Sequence, residues 1–168
     1  VCDLNAARAS AVKERGAQWA ADPESLAAGC DAILVCVGFD REVQALLAEG
    51  GPLRRARRGA VIAILSTIHP KTVQSLAKEC EGVGLHVVDS TVCRGGWAAD
   101  EGTLLSFIGG AAETVARLRP VLAAYSSDIV HTGDVGTAQA AKAVNNMIMW
   151  ACLVASHEGL ALAQRHGL

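Results

Sequence analysis

Aromatic residues are scarce: they make up 4% of a chain that is 51% hydrophobic. A core with so few rings must be filled by Ala, Val, Leu and Ile. That usage, with 17 glycines, suits α/β layers whose strands are buried on both faces. Metal-ligand spacing is also missing. The six cysteines, Cys2, Cys30, Cys36, Cys80, Cys93 and Cys152, include no C-x-x-C pair and join no His/Cys cluster, so neither a metal site nor a disulfide framework is expected. Several lie in apolar runs, where a free thiol behaves as a small hydrophobe, and a reduced, cytoplasmic compartment is the expectation. Net charge is -2 and the one basic cluster, Arg54, Arg55, Arg57 and Arg58, falls in a loop-like composition before an apolar run. It reads as solvated surface, which argues against a nucleic-acid partner and for a small molecule. The longest apolar stretch, Met147 to Ala155, is far too short to span a membrane. A G-x-G-x-x-G phosphate-binding turn is absent as well.

What is present is an alternation of short apolar runs and helical patterns. Val1-Cys2 before Asp3 reads as the end of a strand, and Asn5 to about Arg15 as a helix stopped by Gly16. Ala17 to Ala20 suits a short strand, and Asp22-Pro23-Glu24 opens a second helix. Ala32 to Val37 and Ala60 to Leu65 have the continuous apolar character of buried parallel strands. Asp40 is placed to cap a helix through Leu47, and Ser66-Thr67-Ile68-His69-Pro70 leads into a helix to about Cys80. Leu85 to Asp89, Thr103 to Ile108 and Ile129 to Thr132 are further expected strands, with a helix from Glu113 to Ala124. Such alternation predicts a doubly wound parallel sheet, with ligands at the carboxyl ends of its strands.

From Thr137 onward the pattern becomes a helix that is apolar nearly all round, which predicts burial on most sides. Gln139, Lys142 and Asn146 interrupt it at helical spacing and share one face. A lysine in mid-helix ordinarily snorkels to water. Here apolar neighbours on the other sides, and the adjacent Asn145-Asn146 pair, make proton transfer by Lys142 the sharper alternative.

Three motifs then resemble one family, the β-hydroxyacid dehydrogenases, of which 3-hydroxyisobutyrate dehydrogenase and tartronate semialdehyde reductase are members. Ser66-Thr67-Ile68-His69-Pro70 is similar to its STxxP. Asp89 to Gly96 followed by Gly102-Thr103-Leu104 is similar to its substrate motif DAPVSGG…GTL. Gly133-Asp134-Val135-Gly136 with Lys142 to Asn146 is similar to GxxG…KxxNN. The resemblance implies a Rossmann-type domain over residues 1–133, with its first strand and helix lying before Val1. Residues 134–168 would then open a long interdomain helix leading into an all-α second domain, through which a homo-oligomer is expected. It also implies hydride exchange between a nicotinamide cofactor and a small carboxylate-bearing 3-hydroxyacid or its semialdehyde. Lys142 would be the general acid or base, and Asn146 would hold the substrate and the lysine. Backbone amides around Cys93, Arg94 and Gly95 would receive the carboxylate. Thr67 and the Cys36-Val37 backbone would line the cofactor's path. Asp3, at the end of the second strand of such a fold, would accept from the adenosine ribose and favour NAD over NADP; it can equally serve as a helix N-cap.

The chain departs from the family pattern at three places. Cys93 replaces a serine, Arg94 replaces a glycine, and Ala138 replaces a glycine common at the start of the catalytic helix, which could narrow the pocket mouth. Arg94 adds a fork of donors that either selects a larger or dianionic substrate or turns away to the surface. His69, His131 and His157 read as capping or surface residues. Two other readings stay open: an imine reductase of the same layout, disfavoured because those enzymes generally lack a lysine at this position, and a non-catalytic dinucleotide-binding module.

Overall fold

A computed structural model describes residues 1–168. Five strands lie in sequence order across one sheet: β1 (Ala32–Val35), β2 (Val61–Ile64), β3 (His86–Cys93), β4 (Leu104–Gly109) and β5 (Ser126–Gly133). β1, β2 and β3 are mutually parallel, as are β4 and β5, but β3 and β4 pair antiparallel. The expected parallel sheet is therefore mixed. The cause lies in the connection. A parallel return needs a crossover of about a dozen residues or more, whereas residues 94–103 carry only the short helix α5 (Gly95–Asp100) between the two strands.

Helices flank both faces. Besides α5 they are α1 (Ala9–Glu14), α2 (Pro23–Ala28), α3 (Asp40–Leu47), α4 (Pro70–Glu81), α6 (Ala112–Leu122) and α7 (Thr137–Arg165). Val43 and Leu47 of α3 and Val73, Leu76 and Cys80 of α4 pack on Ile33, Val35, Ile62, Ile64 and Val87. On the opposite face Val115, Leu118 and Leu122 of α6 pack on Val61, Ala63, Val88 and Ile108. The reversal between β3 and β4 accounts for this division. A crossover of constant hand that keeps moving across the sheet changes face when strand direction is inverted.

β2 is buried at every position, as its apolar run predicts. β1 is not: its pattern alternates, and Leu34 is 38% exposed. β1 is an edge strand, and α6 sits over the far side of the sheet, so only one face of β1 is covered. The segments Val1-Cys2 and Ala17–Ala20 form no assigned strands. They are nevertheless joined, since Val1 N donates to Gln18 O at 2.6 Å and Ala20 N to Val1 O at 2.8 Å, the pattern of a single parallel bridge. No helix is long and apolar enough to cross a membrane.

Helix starts follow local chemistry. Asp22 caps α2 by accepting from Ser25 N, and His69 caps α4 by accepting from Lys71 N through Nδ1. Asp40 corrects the sequence expectation, because the N-cap of α3 is Phe39. The Asp40 carboxylate turns instead to the next helix, accepting from Thr72 Oγ1 at 2.8 Å and His69 N at 3.1 Å. It thereby ties the starts of α3 and α4 together beside the ends of β1 and β2.

Partial burial raises the Asp40 carboxyl, but the hydrogen bonds from Thr72 and His69 outweigh it and hold the group below its ordinary 3.8. A folded value below the unfolded one means that Asp40 stabilises the fold above about pH 4, and that this contribution is lost as pH falls through the folded value. Asp40→Asn is expected to lower the melting temperature at pH 7 by roughly 2–4 °C, the shift for about 1 kcal/mol in a chain of this size. It should also flatten the acid limb of a melting-temperature-against-pH series. An unchanged acid limb would show that Asp40 does not supply it.

Candidate active site

Alternate residues of a strand point to the same face, so Asp89, Thr91 and Cys93 of β3 share one face with Val87. The first turns of α7 are docked on that face. Asp89 is fully buried, and each carboxylate oxygen accepts one α7 amide: Oδ1 from Gly136 N at 2.7 Å and Oδ2 from Gln139 N at 2.8 Å. These are donors that a helix start leaves free, at the positive end of its dipole. Burial pushes the Asp89 carboxyl above its ordinary value, against the lowering effect of those amides. Thr91 Oγ1 donates to Ala138 O at 3.0 Å, in the same turn. Ala138 itself is completely buried in this contact region.

Two glycines make the close approach possible. Gly136 sits at φ +96°, and a Cβ there would lie 2.7 Å from Gln74 Nε2. A Cβ on Gly109 would lie 2.6 Å from Asp89 Oδ1 and 2.9 Å from Thr137 Oγ1.

Gln139 extends the attachment to the end of β2. Its Oε1 accepts from Ile68 N at 2.9 Å and its Nε2 donates to Ser66 O at 2.8 Å, all within the interior. Ser66 Oγ in turn accepts from Val37 N at 2.7 Å. One polar network thus joins the ends of β1 and β2 and the middle of β3 to the start of α7. At its rim Cys36 and Thr67 are exposed and Val37 is half-buried, side by side at the carboxyl ends of adjacent strands.

One turn beyond Gln139, Lys142 is brought to the end of β3. Its Nζ donates to Val92 O at 2.6 Å and lies 3.5 Å from Cys93 Sγ. The lysine is half-buried, and the helix around it is not enclosed: Val144, Met147, Ile148, Trp150 and Val154 are all exposed. The sequence expectation of a helix buried on most sides is therefore met within this chain only at its first turns. Asn146 lies on the same side as Lys142, but its Oδ1 meets Asn145 Nδ2 at 3.4 Å and no hydrogen bond joins it to the lysine.

Arg94 follows Cys93 with φ +85°, the one non-glycine residue in the left-handed region. That conformation costs an L-residue roughly 1–2 kcal/mol. Its guanidinium turns away from Lys142's partners toward the start of β5. Nη1 lies 2.7 Å from Asp128 Oδ2, 2.9 Å from Ser127 Oγ and 3.0 Å from Thr103 O. All three contacts are made by one nitrogen of the guanidinium, which holds the side chain toward β5. Gly95 and Gly96 face open space, since a Cβ on either meets nothing within 4 Å. Asp3 belongs to none of this network. Its Oδ1 accepts from Asn5 N at 2.8 Å, and Oδ2 lies 3.4 Å from Arg8 Nη1. Asn5, not Asp3, caps the short turn that follows. No group of three His, Cys, Asp or Glu side chains is placed to hold a metal.

The family model for the NAD binding domain of 6-phosphogluconate dehydrogenase matches residues 1–133. The chain belongs to that family. Within this NAD-binding family it is similar to the 3-hydroxyisobutyrate dehydrogenase of Pseudomonas aeruginosa, at 34% identity over 100% of the chain and 57% of that protein. It is also similar to the solved 3-hydroxyisobutyrate dehydrogenase of Mycobacterium tuberculosis, at 28% identity and a TM-score of 0.91, over 99% of this chain and 57% of that one. The chain thus spans somewhat over half the length of these relatives. An imine reductase of Streptomyces aurantiacus has a TM-score of 0.89 at 23% identity over 99% of this chain and 58% of that one, which shows a shared fold alone.

Sequence reasoning placed Gln139 on the lysine's face but missed its structural task, and it gave Asp89 no role beyond its motif. The available signal was polarity: a Gln in an apolar helix and an Asp inside an apolar strand both need buried partners. Gln139→Leu keeps much of the volume but leaves Ile68 N and Ser66 O unpaired, at about 1–3 kcal/mol for each buried group. A lower melting temperature and faster amide exchange at Ile68 are the expected outcome; native exchange there would mean that the amide finds another acceptor.

Proposed function

We propose that this chain supplies the cofactor-binding domain and the proton-transfer lysine of a nicotinamide-dependent dehydrogenase. Its substrate is a small 3-hydroxyacid or the corresponding semialdehyde. The observation that carries this reading is Lys142 Nζ held on Val92 O and Cys93 Sγ at the end of β3, next to the open backbone of Gly95 and Gly96.

The dinucleotide lies over the carboxyl ends of β1 and β2, where ligands of such sheets bind. Ser66 Oγ takes Val37 N and holds the two strand ends together, while the exposed Thr67 hydroxyl and the Cys36-Val37 backbone border the cofactor's path. When bound, the nicotinamide supplies or accepts the hydride. The protein's part is orientation and proton management. An ammonium has three protons to donate. Val92 O engages one and Cys93 Sγ a second at longer range, which leaves one for the substrate's carbonyl oxygen. Lys142 gives that proton in reduction and withdraws one from the hydroxyl in oxidation. The amides of Cys93, Arg94 and Gly95 receive the carboxylate, and Asn146, on the lysine's side of α7, binds the substrate's oxygen.

Asp3 favours NAD, because a carboxylate accepts from ribose hydroxyls and repels a 2′-phosphate. Residues 1–133 act as an incomplete Rossmann domain, and residues 134–168 open the interdomain helix. The exposed apolar side of α7, including Met147, Trp150 and Val154, is covered by an all-α second domain, through which the protein oligomerises. Its free cysteines suit a cytoplasmic enzyme.

The test is to follow NADH absorbance with the complete gene product against a panel of 3-hydroxyacids and semialdehydes. Lys142→Ala should lose at least about 100-fold in kcat, the low end for general acid–base catalysis, with NAD affinity largely kept. Full activity of that variant would remove Lys142 from the mechanism. In the same assay NAD should be favoured over NADP, and Asp3→Asn should narrow the ratio of the two kcat/KM values. An enzyme that prefers NADPH would overturn the role given to Asp3.

A further inference from the structure

We propose that Arg94 is a positioning residue, which locks the carboxylate-receiving loop to β5 by clamping Thr103, Ser127 and Asp128. The inference rests on the reading of that loop as the substrate's carboxylate site. It adds a residue whose side chain never touches the substrate.

Three successive residues at the end of β3 are held by different elements. Val92 O and Cys93 Sγ face Lys142 of α7. Arg94 reaches across to the start of β5, where Asp128 Oδ2 is 2.7 Å from its Nη1 and Ser127 Oγ is 2.9 Å away. The same nitrogen donates to Thr103 O at 3.0 Å. Thr103 lies in the Gly102-Thr103-Leu104 segment, so one guanidinium joins the two halves of the motif that brackets α5. Asp128 is held below the ordinary carboxylate range by its hydrogen bond from Arg94 and a second from Ser127, and it stays charged toward the arginine at neutral pH.

The clamp acts on a backbone that has few other restraints. Arg94 is left-handed, Gly95 is too at φ +75°, and neither Gly95 nor Gly96 has a packed neighbour where a side chain would be. A glycine in place of Arg94 would adopt the same turn without strain, but it would leave the turn free to open. Direct participation by the arginine is opposed by its geometry, since Nη1 holds the guanidinium against Asp128, Ser127 and Thr103. Its effect on substrate must therefore pass through the amides of residues 93–95, whose direction the anchored turn sets.

The discriminating experiment uses the complete gene product. Arg94→Gly keeps the turn accessible and removes the clamp. It should raise KM for the hydroxyacid by on the order of tenfold, within the range of up to about 100-fold that small misplacements cost. KM for NAD should stay unchanged. Asp128→Ala should act in the same direction, and the double variant should be little worse than Arg94→Gly alone, as expected for two parts of one device. Arg94→Lys should restore part of the loss. Wild-type KM in Arg94→Gly, or equal losses in substrate KM, NAD KM and melting temperature, would overturn the proposal. Binding of 3-hydroxypropionate, read from the Gly95 and Gly96 amide shifts, separates this idea from the reaction itself. Shifts that weaken in Arg94→Gly support the clamp even where turnover is absent and the dehydrogenase reading fails; no shift in the wild type sinks the clamp.

Discussion

Everything at the candidate site depends on one buried carboxylate meeting the start of one helix. Asp89 has no access to water, and its two oxygens accept from Gly136 N and Gln139 N. A charged group in that position would be expensive without partners. The unpaired amides of a helix start would be expensive too. Each requirement is met by the other, and the match works only at one separation and one direction of approach. Gly109 keeps that approach open, because a side chain there would collide with Asp89 itself, and Gly136 supplies the left-handed turn that presents its amide.

From that junction the remaining geometry follows. Gln139 is the residue whose amide binds Asp89 and whose carboxamide binds Ser66 and Ile68. It therefore sets α7 against the end of β2 and the middle of β3 at once. Ser66 passes the restraint on to Val37, so the edges of the crevice are spaced by the same network that seats the helix. Thr91 adds a hydroxyl bond to Ala138 O and limits rotation of the first turn. The chemistry-bearing groups come last in this order. Lys142 reaches Val92 O only because the turn before it has been fixed.

Much of this was legible in the sequence, for physical reasons that can be named. β2 is apolar throughout because it is covered on both sides, and its run of Val61 to Ile64 says so directly. The spacing of Gln139, Lys142 and Asn146 correctly placed them on one side of a helix. What sequence pattern could not convey was direction. β3 and β4 are apolar enough to be strands in either orientation, and only the shortness of the link around α5 forces the antiparallel pairing. β1 misled because an apolar residue at an exposed edge, such as Leu34, looks the same in sequence as one in a covered strand. Arg94 could not be resolved from its type alone. Whether a long cation turns inward or outward depends on Asp128, a residue far along the chain with no local signature.

The helix α7 joins two kinds of surface with opposite requirements, and their order along it is informative. The polar attachments fall within the first turn, from Gly136 to Gln139, while the exposed apolar side chains begin at Val144. Lys142 lies between them. At about 1.5 Å of rise per residue, it stands only about 9 Å along the axis from Gly136, so tilting of the distal helix displaces it little. A lysine further along would follow every motion of whatever packs on the apolar side. One placed earlier would compete with Asp89 for the buried, dipole-facing positions, where a cation is disfavoured. The position of Lys142 satisfies both limits: near enough to the anchor to be held, and far enough from it to carry a charge.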